Sequence, residues 1–149
     1  MKQKALFSGT FDPFTVGHHS IIKRALCFTD EIVIAIGVNT GKKTLYSPEE
    51  RLEAIKRIYS DEKRIRVISY DMLTTDLAKE LHVDFLLRGV RNLNDFEYER
   101  TLADINRKLA NMETVILISE PEYEHVSSSL VRELIHYKKD ITNLIPVTK

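Results

Sequence analysis

Short apolar runs alternate with helix-period segments along the whole chain, and that alternation leaves few folds open. The runs are Ala5–Phe7, Glu31–Val38, Arg64–Ile68, Asp84–Leu87 and Thr114–Ile118. The second is nearly continuous and β-branched, as expected of a central parallel strand covered on both faces. Between the runs, apolar residues recur at helical spacing: Ile21, Ile22, Ala25 and Leu26, then Leu52, Ile55, Ile58 and Tyr59, then Leu77, Ala78 and Leu81. Phe96, Leu102, Ile105 and Leu109 follow the fourth run, and Leu130, Leu134 and Ile135 the fifth. Ser47-Pro48-Glu49-Glu50 is a helix start, with a capping hydroxyl, a proline at the first helical position and a glutamate three residues past the serine. Asn94 and Asp95 are expected to cap the fourth helix, and Ser127-Ser128-Ser129 to open the last. This repetition predicts one α/β domain over residues 1–149: a Rossmann-like, doubly wound fold on a five-stranded parallel sheet with right-handed crossovers. No linker, repeat or low-complexity segment divides it.

The turn joining the first strand to the first helix is Ser8-Gly9-Thr10-Phe11-Asp12-Pro13-Phe14-Thr15-Val16-Gly17-His18. N–H groups at a helix start lack intrahelical partners and carry partial positive charge, so they attract anions. A histidine in that first turn reaches the same phosphate, and Gly9, Thr10 and Gly17 are small enough to let a ligand close to the backbone. Gly9 and Pro13 could equally punctuate an ordinary turn, and His18 alone could be a partly exposed side chain. Position favours the phosphate corner, because a doubly wound sheet binds nucleotides after its first strand.

Ligands of an open parallel sheet lie beyond the carboxyl ends of its strands, so the strand exits define the candidate site. They offer Thr10 and His18 after the first strand, and Lys42 and Lys43 in the loop Asn39-Thr40-Gly41-Lys42-Lys43 after the second. Met72, Leu73 and Thr74 follow the third strand, Arg88 and Arg91 the fourth, and Tyr123 with the three serines the fifth. Every exit but the third supplies a cation or small polar groups at a helix start, the pattern expected for a polyphosphate. Lys42-Lys43 fits a solvated charge pair about as well. A shielded Arg88 pairs a carboxylate such as Asp95 or Glu99 more often than a ligand, but a second arginine at the same exit favours phosphate. The other histidines (His19, His82, His125 and His136) lack metal-ligand spacing.

Charge balances at 22 basic against 22 acidic residues, which argues against a general nucleic-acid binder but not against a local basic pocket. Cys27 is the only cysteine, excluding an intrachain disulfide, and a buried free thiol is expected. No apolar run reaches membrane-spanning length, so a soluble, cytoplasmic protein with no membrane partner is the expectation.

Gly9-Thr10-Phe11-Asp12-Pro13, Thr15-Val16-Gly17-His18, Arg88-Gly89-Val90-Arg91, Asp95-Phe96-Glu97-Tyr98-Glu99 and Ser127-Ser128-Ser129 occur in the order and spacing of bacterial phosphopantetheine adenylyltransferase. The resemblance covers nearly the whole chain, whereas Thr-x-Gly-His alone is shared by the wider nucleotidyltransferase superfamily. It implies transfer of the adenylyl group of ATP to 4′-phosphopantetheine, giving dephospho-coenzyme A and pyrophosphate, with Mg2+ carried on the ATP. It further implies a homohexamer and feedback by coenzyme A. By position, Thr10 and Lys42 would hold the acceptor phosphate with Arg88 nearby, and Leu73 and Thr74 would line the pantetheine arm. His18 would contact the triphosphate and stabilise the transition state, with Lys42 and Arg91 beside it as catalytic cations. Thr10, Phe11, Gly89, Val90, Arg91, Glu99 and the segment Tyr123, Glu124, His125, Val126, Ser127, Ser128 and Ser129 would hold ATP.

A phosphate monoester is largely ionised near neutral pH and needs no general base, which suits a chain with no obvious carboxylate–histidine or Ser–His pairing. The chemical difficulty is repulsion between two anions and the charge growing on pyrophosphate, which positioning and fixed positive charge relieve. Direct in-line transfer without a covalent enzyme intermediate is therefore expected, with no complete side-chain cage for magnesium. A transferase acting on nicotinamide mononucleotide or glycerol phosphate, and a non-catalytic adenine-nucleotide sensor, are the competing readings.

Overall fold

In the computed structural model, which describes residues 2–39 and 41–148, five parallel strands form one sheet in the order β3-β2-β1-β4-β5. The strands are β1 Lys4–Gly9, β2 Glu31–Gly37, β3 Ile65–Tyr70, β4 Phe85–Val90 and β5 Glu113–Ile118. Helices α1 Val16–Ala25, α2 Pro48–Ile58, α3 Thr74–Glu80, α4 Leu93–Ala110 and α5 Ser128–His136 alternate with them. Thr40 of the lysine loop lies outside the described residues. One face of the sheet (Phe7, Ile32, Ile34, Leu87) packs on Ile21, Ile22 and Ala25 of α1 and Ile55 of α2. The other (Leu6, Val33, Leu86) packs on Leu77 and Ala78 of α3. Ile32, Val33, Ile34, Ala35 and Ile36 are all fully buried, as their unbroken apolar run requires.

The sheet opens where its strand order reverses. β1 pairs with β4 only at Ala5–Phe85 and Leu6–Leu86. Yet β1 stays on β2 as far as Gly9–Ile36, and β4 stays on β5 as far as Val90–Ile118. The carboxyl-terminal halves of β1 and β4 thus part around a crevice at the topological switch point. Arg88 and Gly89, expected just past the fourth strand, lie within β4, because pairing with β5 carries the strand three residues beyond Leu87.

Helix starts follow their capping residues. Thr15, Ser47 and Ser127 accept from the backbone N–H of His18, Glu50 and Leu130 respectively. The cap of α4 is Asn92 rather than Asn94 or Asp95; Asn92 accepts from Asp95 N, while the Asp95 carboxylate reaches back to Arg91 N at 3.1 Å. Cys27 is exposed, contrary to the buried thiol expected, since it falls in the turn after α1 and not on the helix's packed face.

Candidate active site

A cavity of about 390 Å3 fills the crevice. The first turn of α1 contributes Gly17 and His18 to its wall, and the start of α5 contributes Ser127, Ser128 and Ser129. Two helix N-termini therefore converge on one cavity. Its cations are Lys42, Lys43, Arg88, Arg91 and Arg132. Asp12 is the only carboxylate among the described residues of the wall, and its two oxygens accept from Leu45 N at 2.8 Å and Tyr46 N at 2.9 Å. Cations thus outnumber carboxylates on the described wall five to one.

His18 sits at the third helical position of α1 and closes a capping box with Thr15. Its Nδ1 accepts from the Thr15 backbone N–H at 3.0 Å, so Nδ1 carries no proton and the neutral ring bears its hydrogen on Nε2. Phe14 stacks on the imidazole at 5.2 Å between centroids, and Phe11 meets it edge-on at 5.0 Å. Burial, reinforced by Arg88 and Arg91, pushes its pKa down to about 3. At neutral pH His18 is therefore a fixed N–H donor, not a cation.

Phe11 holds φ at 51°, a left-handed backbone that a bulky residue adopts only under constraint. The turn folds its ring back over Gly9, where a Cβ would stand 2.9 Å from the ring's far edge. Gly89 plays the matching part on β4, where a Cβ would meet Ile21 of α1 at 2.9 Å. Both glycines allow close approach at the crevice floor.

Arg88 forms a two-pronged pair with the buried Glu99 at 2.7 and 2.8 Å and donates to Ser8 O across the gap between β4 and β1 at 2.6 Å. Three of its five N–H groups are thereby used, and two remain for the cavity. Arg91 pairs with Asp95 at 3.0 Å. Both arginines have thus taken the carboxylates weighed against phosphate, and both still line the crevice. Lys42 Nζ donates to Thr10 Oγ1 at 3.2 Å, bringing the second strand exit onto the first. Beyond that contact opens a second groove of about 500 Å3, which shares Thr10 and Lys42 with the crevice and runs along Tyr70, Asp71 and Met72.

Comparison with known proteins agrees with this architecture. The cytidylyltransferase-like family matches residues 6–134. The phosphopantetheine adenylyltransferase of Bacteroides thetaiotaomicron is 55% identical over 97% of this chain and 95% of its own. That of Bacteroides fragilis is 54% identical over 97% of this chain and 96% of its own. This chain belongs to the phosphopantetheine adenylyltransferase family. In fold alone it also resembles a bifunctional NMN adenylyltransferase/ADP ribose pyrophosphatase of Francisella tularensis, with a TM-score of 0.74 at 14% identity. That match covers 100% of this chain and 46% of the larger protein.

The residues expected at the site fall into four groups in this chain. Thr10, Phe11, His18, Lys42, Arg88, Gly89, Arg91, Val126 and Ser127–Ser129 meet at the crevice. Phe11 turns its ring into the core, so what it offers a ligand is backbone. Val90 is buried outside the wall, and Glu99 has both oxygens on Arg88. Tyr123, Glu124 and His125 lie beyond the wall, on the approach to α5. Leu73 is 58% exposed at the start of α3, and the Thr74 hydroxyl bonds the hydroxyl of Tyr70, a residue of the groove wall, at 2.9 Å.

Two cations were missed from the sequence. Arg132 donates to Asp12 O at 2.8 Å and Ser129 Oγ at 3.1 Å, one helical turn past the serines, where helical spacing could have found it. Arg51 lies under Thr10, and nothing in its local pattern announces that. No group of three or more His, Cys, Asp or Glu suited to a metal ion occurs among the described residues.

The depressed His18 pKa has a sign that stability measurements can read. Between pH 6.5 and about 3 the unfolded chain binds a proton there that the folded chain does not. Stability is therefore full above pH 6.5 and falls on acidification through that window, by up to about 1.4 kcal/mol per pH unit. His19, whose pKa is lowered by burial and then by Lys23, adds in the same direction. Urea unfolding from pH 7 to pH 4 should show a visibly shallower fall for His18→Gln than for the native chain; equal slopes would contradict a neutral His18.

Proposed function

We infer that this chain transfers the adenylyl group of ATP to 4′-phosphopantetheine, releasing pyrophosphate and dephospho-coenzyme A. The observation that carries this reading is the Thr10–Lys42 contact, which forms one wall of both cavities. An acceptor phosphate seated there has the cationic crevice on one side for a nucleotide. On the other it has a groove for the elongated remainder of the acceptor. The close identity to named phosphopantetheine adenylyltransferases supports the same reaction.

In this mechanism an ionised oxygen of the acceptor phosphate attacks the α-phosphorus of ATP. The new P–O bond forms as the bond to the β-phosphate oxygen breaks, and the electron pair leaves with pyrophosphate. No side chain need accept a proton, since the nucleophile is already an anion. The His18 Nε2–H donates to the oxygens on which charge builds, Lys42 and Thr10 hold the attacking phosphate, and Arg91 with the start of α5 holds the leaving phosphates. Arg88, held by Glu99, presents its two free N–H groups between them. Magnesium carried on the ATP would supply further charge neutralisation; Asp12 and Glu99 are committed to other partners and fit no protein cage for it. A cytoplasmic location, a homohexameric assembly and feedback by coenzyme A belong to the same reading. Among the described residues no helix is long and apolar enough to cross a membrane.

The test is pyrophosphate release from ATP and Mg2+ with 4′-phosphopantetheine, nicotinamide mononucleotide or glycerol phosphate as acceptor. Turnover confined to phosphopantetheine is expected. Preference for either other acceptor would reassign the enzyme, and ATP binding without turnover on any of them would favour a nucleotide sensor.

A further inference from the structure

Beneath the acceptor seat lies a buried cation that the mechanism above does not use. Arg51, in the second turn of α2, is 4% exposed. Its guanidinium donates to three backbone carbonyls from three segments: Thr10 O at 2.7 Å, Gly37 O at 3.3 Å and Tyr46 O at 3.2 Å. These are the exit of β1, the end of β2 and the far side of the loop that carries Lys42. Asp12 clasps the same loop from the opposite direction through Leu45 N and Tyr46 N.

Arg88 and Arg91 each have a carboxylate partner, but no ion pair neutralises Arg51 among the described residues. Burying a charge against carbonyl dipoles alone is costly, and an apolar residue on this face of α2 would pack at less cost. The position makes physical sense if an anion completes it. Thr10 lies between the guanidinium and the proposed seat, its carbonyl on Arg51 and its hydroxyl on Lys42.

We propose that Arg51 is a positioning residue for the acceptor phosphate. It holds Thr10 and the Lys42 loop in register across the ends of β1 and β2, and its charge, which no carboxylate among the described residues meets in an ion pair, adds to the field at the seat. The proposal rests on the adenylyl-transfer reading and concerns the acceptor half of the site alone. The nucleotide half is built mainly on β4, α1 and α5, none of which Arg51 touches through the bonds given above; of the residues expected at ATP, those bonds reach Thr10 alone.

Isothermal titration of 4′-phosphopantetheine and of a non-hydrolysable ATP analogue into the native chain, Arg51→Met and Arg51→Lys tests it, with melting curves alongside. Arg51→Met is expected to weaken phosphopantetheine by about 10-fold or more while the ATP analogue stays within about threefold. Arg51→Lys keeps the charge but not the three-way fork, and is expected to recover part of that loss. Equal weakening of both ligands, or unchanged phosphopantetheine binding, would overturn the proposal. Should Arg51→Met fail to fold, Arg51→Lys decides alone: selective weakening of the acceptor supports the proposal, and equal or no weakening overturns it. Turnover by the native chain separates the two claims. Binding of phosphopantetheine without turnover would sink the transfer reaction yet leave the Kd comparison decisive for Arg51. Absence of binding would sink both.

Discussion

His18→Ala lowers kcat by about 10²–10³-fold and leaves the Kd for ATP within about threefold. The reason is the tautomer. Nδ1 is occupied by the Thr15 N–H, so the ring has one polar group to offer, the Nε2–H, in a cavity otherwise supplied with cations. The ground-state triphosphate has those cations and two helix N-termini to bind it, and loses little with the ring. The transition state alone places new charge on oxygens around the α-phosphorus, and a preorganised donor acts there. Alanine also removes half of a capping box, at about 1 kcal/mol of stability. His18→Gln separates the two roles, since glutamine at the third position restores the box. Its melting temperature should return towards native while kcat stays low. Equal large losses in ATP binding and kcat, or recovery of kcat with glutamine, would contradict a transition-state role.

Lys42→Ala lowers kcat/KM for 4′-phosphopantetheine by about 10–100-fold, the range for a hydrogen bond to a charged group, with ATP affinity little changed. Lys42 is not tied into an ion pair; the one hydrogen bond of its ammonium among the described residues is to the Thr10 hydroxyl, at the junction of the two cavities. An ammonium held there without a carboxylate is available to a dianionic phosphate. Because the seat is partly exposed, the native chain should also lose acceptor affinity with rising salt more steeply than the variant does. Steady-state kinetics with each substrate varied in turn, at two ionic strengths, checks both statements. Unchanged acceptor kinetics would place the lysine in solvent, as a charged loop pair would ordinarily be.

The fold was legible because its signals are local. The Glu31–Val38 run can only be a doubly covered strand, and Ser47-Pro48 writes a helix start in two residues. The Thr15–His18 box was legible in principle, since histidine takes the place of glutamate in a capping box, and that accounts for His18 more fully than proximity to a helix start. What the sequence hid depends on tertiary geometry. The parting of β1 from β4 after Leu6 and Leu86 leaves no trace in either strand's pattern. Arg88 reads as a strand-exit residue, but pairing with β5 extends the strand beneath it, and Glu99, eleven residues on, fixes its direction. Arg51 reads as an ordinary polar position of an amphipathic helix, because the carbonyls it meets come from three separate segments. Arg132 was within reach of helical spacing from Ser129, and only its bond to Asp12 O, from the far end of the chain, was hidden.

The claim beneath all of this is that one crevice brings two anions together for a single displacement at the α-phosphorus, with no enzyme group entering the covalent path. The direct measurement is the stereochemistry at that atom, using ATP made chiral by sulfur substitution at the α-phosphate, with phosphopantetheine as acceptor. The account predicts inversion of configuration. Retention would mean two displacements and an adenylylated enzyme, and would contradict it.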